Sequence, residues 1–340
     1  MKSAIFCAML LWVLPSFAGE EHDAARAMAG LKEVSANWNA YEAKIGRPMQ
    51  KWACSELGED DGMTVFYPFS GPDLPTLVHL YPDADRYVLV SIEKAEAPPQ
   101  SRKDSEGYLA AFVKAWRLYG TLGFFRTEDL EGAHKGMTGP LMAFAALLGF
   151  QVETVEPIRL EKGAHDFVPS ADAEWDSVRL TLRKGGRQVL VDSVRMDLRD
   201  GWLRQVAHER NWLDLMASNP TVIKAASHLP QDPEFTVLRD SILRNAPTIV
   251  QDETGIEYDM LAQDFAVRLY GRFTRANGLF NGRHSSLATA YRVGGAAKPL
   301  PFLFGYEKDA GPAVQVAVRK SARASAVAGS RCPAGACRRC

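Results

Sequence analysis

The chain contains 340 residues, of which 46% are apolar and 24% are charged, and its formal net charge is −1. These values are ordinary for a globular protein, so they argue against a disordered chain, a collagen and a multi-pass membrane protein. The chain also lacks the basic excess that is typical of nucleic-acid binding, and we expect no nucleic-acid partner.

The amino-terminal segment predicts a signal peptide. Lys2 gives a short positive start, and the apolar run at 4–14 has the length of a signal core but is too short to span a bilayer. Ser16 and Ala18 then supply the small residues that precede a cleavage point. We expect residues 1–18 to be removed and the mature chain to be exported to the periplasm or the extracellular space without spanning a membrane. The alternative is an uncleaved anchor.

Charge and cysteine content divide the mature chain into a body and a tail. Residues 19–318 carry 33 basic and 41 acidic residues, whereas residues 319–340 carry six basic residues and no acidic one. We interpret 19–318 as one α/β domain, with a candidate internal boundary near Pro169, and 319–340 as a basic, disordered tail. Four cysteines allow three complete disulfide pairings, which the sequence leaves open: Cys54, Cys332, Cys337 and Cys340.

Two amphipathic helices are predicted in the first 120 residues. Apolar residues recur at helical spacing from His22 to Ile45, and again over residues 105–119. Gly46, followed by Pro48, predicts that the first helix ends at that point.

The residues between these helices predict a parallel pair of strands. Short apolar runs at 64–69 and 86–92 are typical of buried strands, and a turn and a short helix at 74–80 separate them. This order is a βαβ unit, which favours a Rossmann-like arrangement.

The second half adds strands of another kind. Residues 178–182 and 189–194 flank Gly185 and Gly186, which predicts an antiparallel hairpin. Helices are predicted at 203–217 and after Asp232, and three further strands near residues 248–250, 266–270 and 313–318. The expected fold is therefore α/β, a mixed sheet with a Rossmann-like βαβ amino-terminal part and later antiparallel hairpins.

Six sequence blocks resemble, as a set, an uncharacterised family of exported bacterial proteins that carries a YPFSGPD block. They span most of residues 64–306. They are Tyr67 to Asp73, Tyr81 to Ala84 with the strand that follows, Lys224 to Leu229, Val250 to Ile256, Leu269 to Gly271 and Leu300 to Tyr306. The family has no assigned activity, so the resemblance implies no catalytic residue and no cofactor. It implies one functional unit across the chain.

Four charged residues form the predicted ligand-binding site: Asp73, Glu93, Lys224 and Asp252. Lys224 stands among apolar neighbours, where a cation is costly unless it is paired, and we name Asp252 as its candidate partner. If the four residues form one pocket, they should converge near the carboxyl ends of strands. The alternative is an ion pair that only supports the fold.

A serine hydrolase is the first alternative function. Ser70 lies in a turn after a predicted strand, but glycine is absent two residues before it, so the nucleophile-elbow motif is not met. His228 is the leading candidate base, and Lys224 would share its face if that segment were helical. Other candidate partners for Ser70 are His79, His134, His208, Asp73, Asp192 and Asp252.

A methyltransferase-like Rossmann protein is the second alternative. Gly71 and Glu93 stand 22 positions apart, close to the spacing between a phosphate-binding turn and a ribose-binding acid. However, the turn holds a single glycine, and Pro72 removes a backbone donor where an anion would bind. Export also separates a protein from intracellular cosubstrates.

No metal-binding motif is present in the sequence, and we expect neither a metal nor a cofactor. The leading hypothesis is an exported, soluble envelope protein that binds a small molecule or an envelope component.

Overall fold

The computed structural model describes residues 32–58, 61–98, 112, 116, 136–172, 174–275, 285–293, 297–306 and 312–320. The predicted signal peptide at 1–18 lies outside these residues, and so does most of the tail at 319–340. Arg319 itself is the last residue of a strand. None of the described helices has an apolar stretch long enough to cross a membrane.

Ten strands form one sheet. They are β1 (Thr64–Pro68), β2 (Arg86–Ser91), β3 (Gln151–Arg159), β4 (Val168–Pro169), β5 (Ser177–Lys184), β6 (Arg187–Arg195), β7 (Thr221–Ile223), β8 (Thr248–Gln251), β9 (Phe265–Gly271) and β10 (Ala313–Arg319). Their order is β4-β3-β5-β6-β2-β1-β7-β8-β10-β9. The sheet thus contains strands from both sides of Pro169.

Five neighbouring strands, β6-β2-β1-β7-β8, are parallel to one another. Antiparallel pairings extend the sheet on both sides, with β5, β3 and β4 beyond β6 and with β10 and β9 beyond β8. The mixed α/β sheet predicted from the sequence is confirmed, but its parallel part is larger than expected. The second strand of the predicted hairpin, β6, also pairs in parallel with β2.

Helices cover both faces of the sheet. They are α1 (Arg47–Glu56), α2 (Leu74–Leu80), α3 (Thr138–Leu147), α4 (Asp200–Leu203), α5 (Ala207–Met216), α6 (Thr236–Asn245), α7 (Tyr258–Asp264) and α8 (Ser285–Val293). Strand side chains alternate between two cores. Val65 and Tyr67 of β1 pack on the side of α1, α2 and α3, whereas Phe66 packs on the side of α5 and α6.

The predicted end of the first helix at Gly46 is wrong. Residues 32–41 are helical, a π-helical turn at Glu42–Gly46 follows, and α1 continues directly from it. Gly46 has a right-handed backbone, so it does not end the helix. A Cβ atom at Gly46 would lie 2.5 Å from Nε2 of His79, and this close approach to α2 explains the glycine.

The predicted helix at 105–119 lies outside the described residues except for Phe112 and Trp116, which are helical and buried. Cys54 is disulfide-bonded. The other cysteines lie outside the described residues, so the pairing stays open.

Candidate ligand-binding site

The candidate site lies where the order of the parallel strands reverses. From β1 the chain moves to β2 and then β6 on one side of the sheet, and it later adds β7 and β8 on the other side. The loops that leave the carboxyl ends of β1 and β7 therefore diverge, which is the arrangement in which open α/β sheets form a crevice. In open α/β sheets, ligands bind at this switch point.

A buried ion pair joins these two loops. Nζ of Lys224, directly after β7, lies 2.8 Å from Oδ2 of Asp73, which caps the amino end of α2. The two side chains are 1% and 2% exposed. Lys224 also donates to Oγ1 of Thr76 at 2.7 Å. The pair fixes the distance between the two diverging loops.

Tyr67, the last residue but one of β1, adds a third side chain to this contact. Its hydroxyl lies 3.2 Å from both Oδ2 of Asp73 and the carbonyl oxygen of Lys224. Burial and the negative charge of Asp73 raise the pKa of Tyr67 well above its ordinary value, so the phenol stays protonated and donates. We call Tyr67, Asp73, Lys224 and Asp252 the switch-point cluster.

Asp252 holds the loop after β7. Its Oδ2 accepts a 2.6 Å hydrogen bond from the amide of Ala225, and its Oδ1 accepts from the amide and the hydroxyl of Thr254. The Thr254 hydroxyl accepts in turn from the amide of Ala226. Burial raises the pKa of Asp252 above its ordinary value, although these donors favour the charged form.

The backbone on both sides of the switch point is strained. Four non-glycine residues have left-handed conformations, with φ of 60° at Phe69, 52° at Ala225, 52° at Ser227 and 61° at His228. Across the described part of the chain, Glu96 is the one other non-glycine residue with positive φ. Each such residue costs on the order of 1–3 kcal/mol, and the hydrogen bonds to Asp252 and Thr254 offset this cost.

The segment at 300–306 covers the cluster. The Phe304 ring centre lies 5.4 Å from Nζ of Lys224, and the Tyr306 hydroxyl donates to the carbonyl of Ala225 at 2.9 Å. Gly305 has φ of 78°, and a Cβ atom there would lie 2.3 Å from Oδ2 of Asp252. A residue with a side chain would therefore push this segment away from Asp252.

The structure corrects two sequence predictions about Lys224. Its ion-pair partner is Asp73, whereas Asp252 bonds to the amide of Ala225. Lys224 and His228 do not share a helical face, because the left-handed residues between them form a loop. Asp252 nevertheless lies beside the pair and contributes to its electrostatics.

Glu93 lies two residues beyond β2, at the same edge of the sheet, and is half-buried. We assign it no role in the cluster. Whether it, Asp73, Lys224 and Asp252 bind a ligand stays a prediction.

The geometry around Ser70 does not form a catalytic triad. Its Oγ donates to the carbonyl of Val90 at 3.4 Å, and no histidine among the described residues lies within hydrogen-bonding distance. His228 is buried at a left-handed position that begins a short 3₁₀ turn. His79 bonds to Glu42 and to the carbonyl of Pro75 instead.

The remaining triad candidates lie elsewhere. Asp192 pairs with Arg86 and Arg179. His208 lies on α5, and His134 lies outside the described residues. Among the described residues, no group of three histidine, cysteine or acidic side chains is arranged to hold a metal ion.

Sequence reasoning missed Thr76, Thr254, Tyr306 and the left-handed residues. Asp73 before Leu-Pro is an N-cap signal, and it would have indicated the bonds to Thr76. No local sequence pattern indicates a role for Tyr306, because the residues that it contacts, Ala225 and Ser227, lie far from it in the chain.

In comparisons with known proteins, the chain matches no protein family, no curated protein and no solved structure.

Proposed function

We propose that the protein binds a small polar molecule at the switch point, in the crevice between the loop after β1 and the loop after β7. One observation carries this proposal: four of the five left-handed non-glycine residues in the described part of the chain lie in these two loops. Strained non-glycine residues persist where the surrounding structure holds them, and they cluster at ligand sites. Loops that only connected strands would not need such strain.

The residues at the surface of the crevice indicate the ligand chemistry. Ser227 is exposed, and its hydroxyl lies 3.0 Å from the half-buried Tyr306 hydroxyl. Phe69 and Phe235 stand half-buried and edge to face, with ring centres 5.5 Å apart. Hydroxyl groups and aromatic edges in and next to these two loops fit a molecule that combines a ring with hydrogen-bonding groups, such as a nucleoside, an aromatic amino acid or a monosaccharide.

The buried side chains of the switch-point cluster bond to these loops and hold them in place. Asp73 already accepts hydrogen bonds from Tyr67, from Lys224, and from the amide and hydroxyl of Thr76. We therefore assign Asp73 and Lys224 a positioning role, in which they hold the two loops at the separation that the ligand requires.

A panel of nucleosides, aromatic amino acids and monosaccharides at millimolar concentration tests the proposal through thermal shift and then calorimetry. The decisive variants place tryptophan at Ser227 or at Ser218. Both serines are exposed, but Ser227 follows β7 at the crevice whereas Ser218 precedes β7 at the opposite edge. Ser227→Trp should abolish binding, and Ser218→Trp should leave it unchanged. Equal binding in both variants, or no shift from any compound, contradicts the proposal.

A methyl donor is the second candidate ligand, and the strand order favours it. The order β6-β2-β1-β7-β8 supports a Rossmann-type relationship, in which a cofactor binds at the same switch point. The Asp73 carboxylate already occupies the amino end of α2, where a pyrophosphate would have to bind. This charge disfavours dinucleotides but not a sulfonium compound. S-adenosylhomocysteine binding in calorimetry, with no binding of NAD, would favour this candidate.

We also propose that the protein acts after export, because residues 1–18 have the composition of a signal peptide. Mass spectrometry of the protein expressed with its own amino terminus tests this. A mature chain that begins at Gly19 in the exported fraction supports export, and an uncut chain in the cytosol contradicts it.

A further inference from the structure

A cavity lies between the loop that joins β3 to β4 and α5 with the two residues that precede it. Its volume is about 1000 Å³, which is large enough for a small organic molecule. Its lining residues come from these two segments: Lys162, Gly163, Ala164, His165, Gln205, Val206, Ala207, His208, Asn211, Trp212 and Leu215. None of these residues belongs to the switch-point crevice.

The polar lining carries donors and no carboxylate. The side chains of Lys162, His165, His208 and Asn211 make no hydrogen bond or ion pair with any other described residue, so their polar groups are available to a ligand. This arrangement contrasts with the body of the chain at 19–318, where acidic residues outnumber basic ones by 41 to 33.

The acids beside the basic residues of this lining already have partners. Asp166, beside His165 in sequence, pairs with Arg86 and accepts a 3.0 Å hydrogen bond from Nε1 of Trp212. Glu161, beside Lys162, pairs with Arg159. Glu209, beside His208, keeps its charge and accepts a 2.6 Å hydrogen bond from Nε1 of Trp202. None of these three carboxylates lines the cavity.

The remaining wall is apolar. Val206, Trp212 and Leu215 contribute to it, and Leu215 is 46% exposed. A ligand that covered Leu215 would remove this apolar surface from water.

We infer that this cavity binds a small amphipathic anion, in which a carboxylate contacts Lys162, His165 and His208 and an apolar portion packs on Val206 and Leu215. The ion-to-donor contacts supply orientation, and the apolar wall supplies contact area. The inference does not depend on the switch-point proposal, because the two sites share no residue.

The test uses 4-phenylbutyrate as the probe and 4-phenylbutanol as its neutral match, with binding to the mature protein measured by calorimetry. We expect the acid to bind and the alcohol to bind about tenfold more weakly, because the alcohol lacks the charge that the donors recognise. Lys162→Ala and His208→Ala should each weaken the acid by about fivefold.

Two control variants make the result specific. Lys51→Ala removes an exposed cation from α1, far along the chain from this cavity, and should leave binding unchanged. Ser227→Trp, which blocks the switch-point crevice, should also leave it unchanged. Equal affinity for acid and alcohol, absence of binding, or equal losses in Lys51→Ala and Lys162→Ala overturns the inference, whatever the outcome at the switch point.

Discussion

Two buried ionic networks lie in the same sheet, and their backbones differ. The strand network consists of Arg86 on β2, Arg179 on β5 and Asp192 on β6; Asp192 is 0% exposed and accepts hydrogen bonds from both arginines. Its residues stand on regular strands in register. The switch-point cluster is buried more completely, and it holds loops with left-handed residues.

The comparison teaches that a buried charge does not by itself mark a site. In the strand network, the charges tie neighbouring strands together and leave the backbone relaxed. At the switch point, similar charges hold a backbone that would relax without them. Strain, rather than burial, distinguishes the region to which we assign binding.

The largest effect is expected from Asp192→Ala. This change removes the carboxylate partner of Arg179 and leaves Arg86 with Asp166 alone, so it should lower the free energy of unfolding by about 3 kcal/mol. Urea denaturation measures the loss. Asp197→Ala is the matched control, because Asp197 pairs with Arg199 at the surface and should contribute less than about 1 kcal/mol. A similar loss in both variants would remove the distinction between buried and exposed pairs.

Lys224→Met should lower the free energy of unfolding by a smaller amount, about 2–3 kcal/mol, because Asp73 keeps its hydrogen bonds from Tyr67 and Thr76. The double variant Asp73→Asn with Lys224→Met should recover part of the loss, since no unpaired charge remains. Denaturation of the single and double variants measures the coupling. Strictly additive losses would show that the two side chains do not act as a pair.

Ala225→Gly should raise the free energy of unfolding by about 1 kcal/mol, because glycine adopts φ of 52° without strain. The same change at Ala146, inside α3, should lower it by about 1 kcal/mol. Denaturation curves measured in parallel should show that the free energy of unfolding changes in opposite directions in the two variants. Destabilisation of both variants would contradict the strain that we place at the switch point.

The smallest effect concerns the pair that joins Glu42 to α2. Burial raises the pKa of Glu42, but the hydrogen bond and charge of His79 outweigh it and hold the pKa below its ordinary value near 4.5. The pair therefore contributes stability above this pH and loses it as the pH falls further. Denaturation between pH 3 and pH 6 should show the difference between wild type and His79→Gln shrink at low pH. A constant difference would argue against the pairing.

The regular elements were predictable because their signals are local. Apolar runs and turn residues predicted β1, α2 and β2, and the Gly185-Gly186 turn predicted the hairpin of β5 and β6. The helical spacing was also found, but Gly46 was misinterpreted, because its reason is a contact with His79 from another element.

The site was only partly predictable, for the same physical reason. Lys224 was named from its charge among apolar neighbours, Asp252 as its candidate partner and Asp73 as part of the same predicted pocket, and the structure brings these three residues together. Their pairing was not foreseen, because it depends on β1 and β7 being neighbours, and sequence spacing does not reveal strand order. The strain at Ser227 and the approach of Tyr306 likewise arise only in the folded sheet.

The most direct test of the switch-point proposal is calorimetry of one panel compound with wild type, Ser227→Trp and Ser218→Trp under identical conditions. The account predicts binding to wild type and Ser218→Trp and none to Ser227→Trp. Unchanged binding to Ser227→Trp would show that the crevice between β1 and β7 is not where the ligand binds.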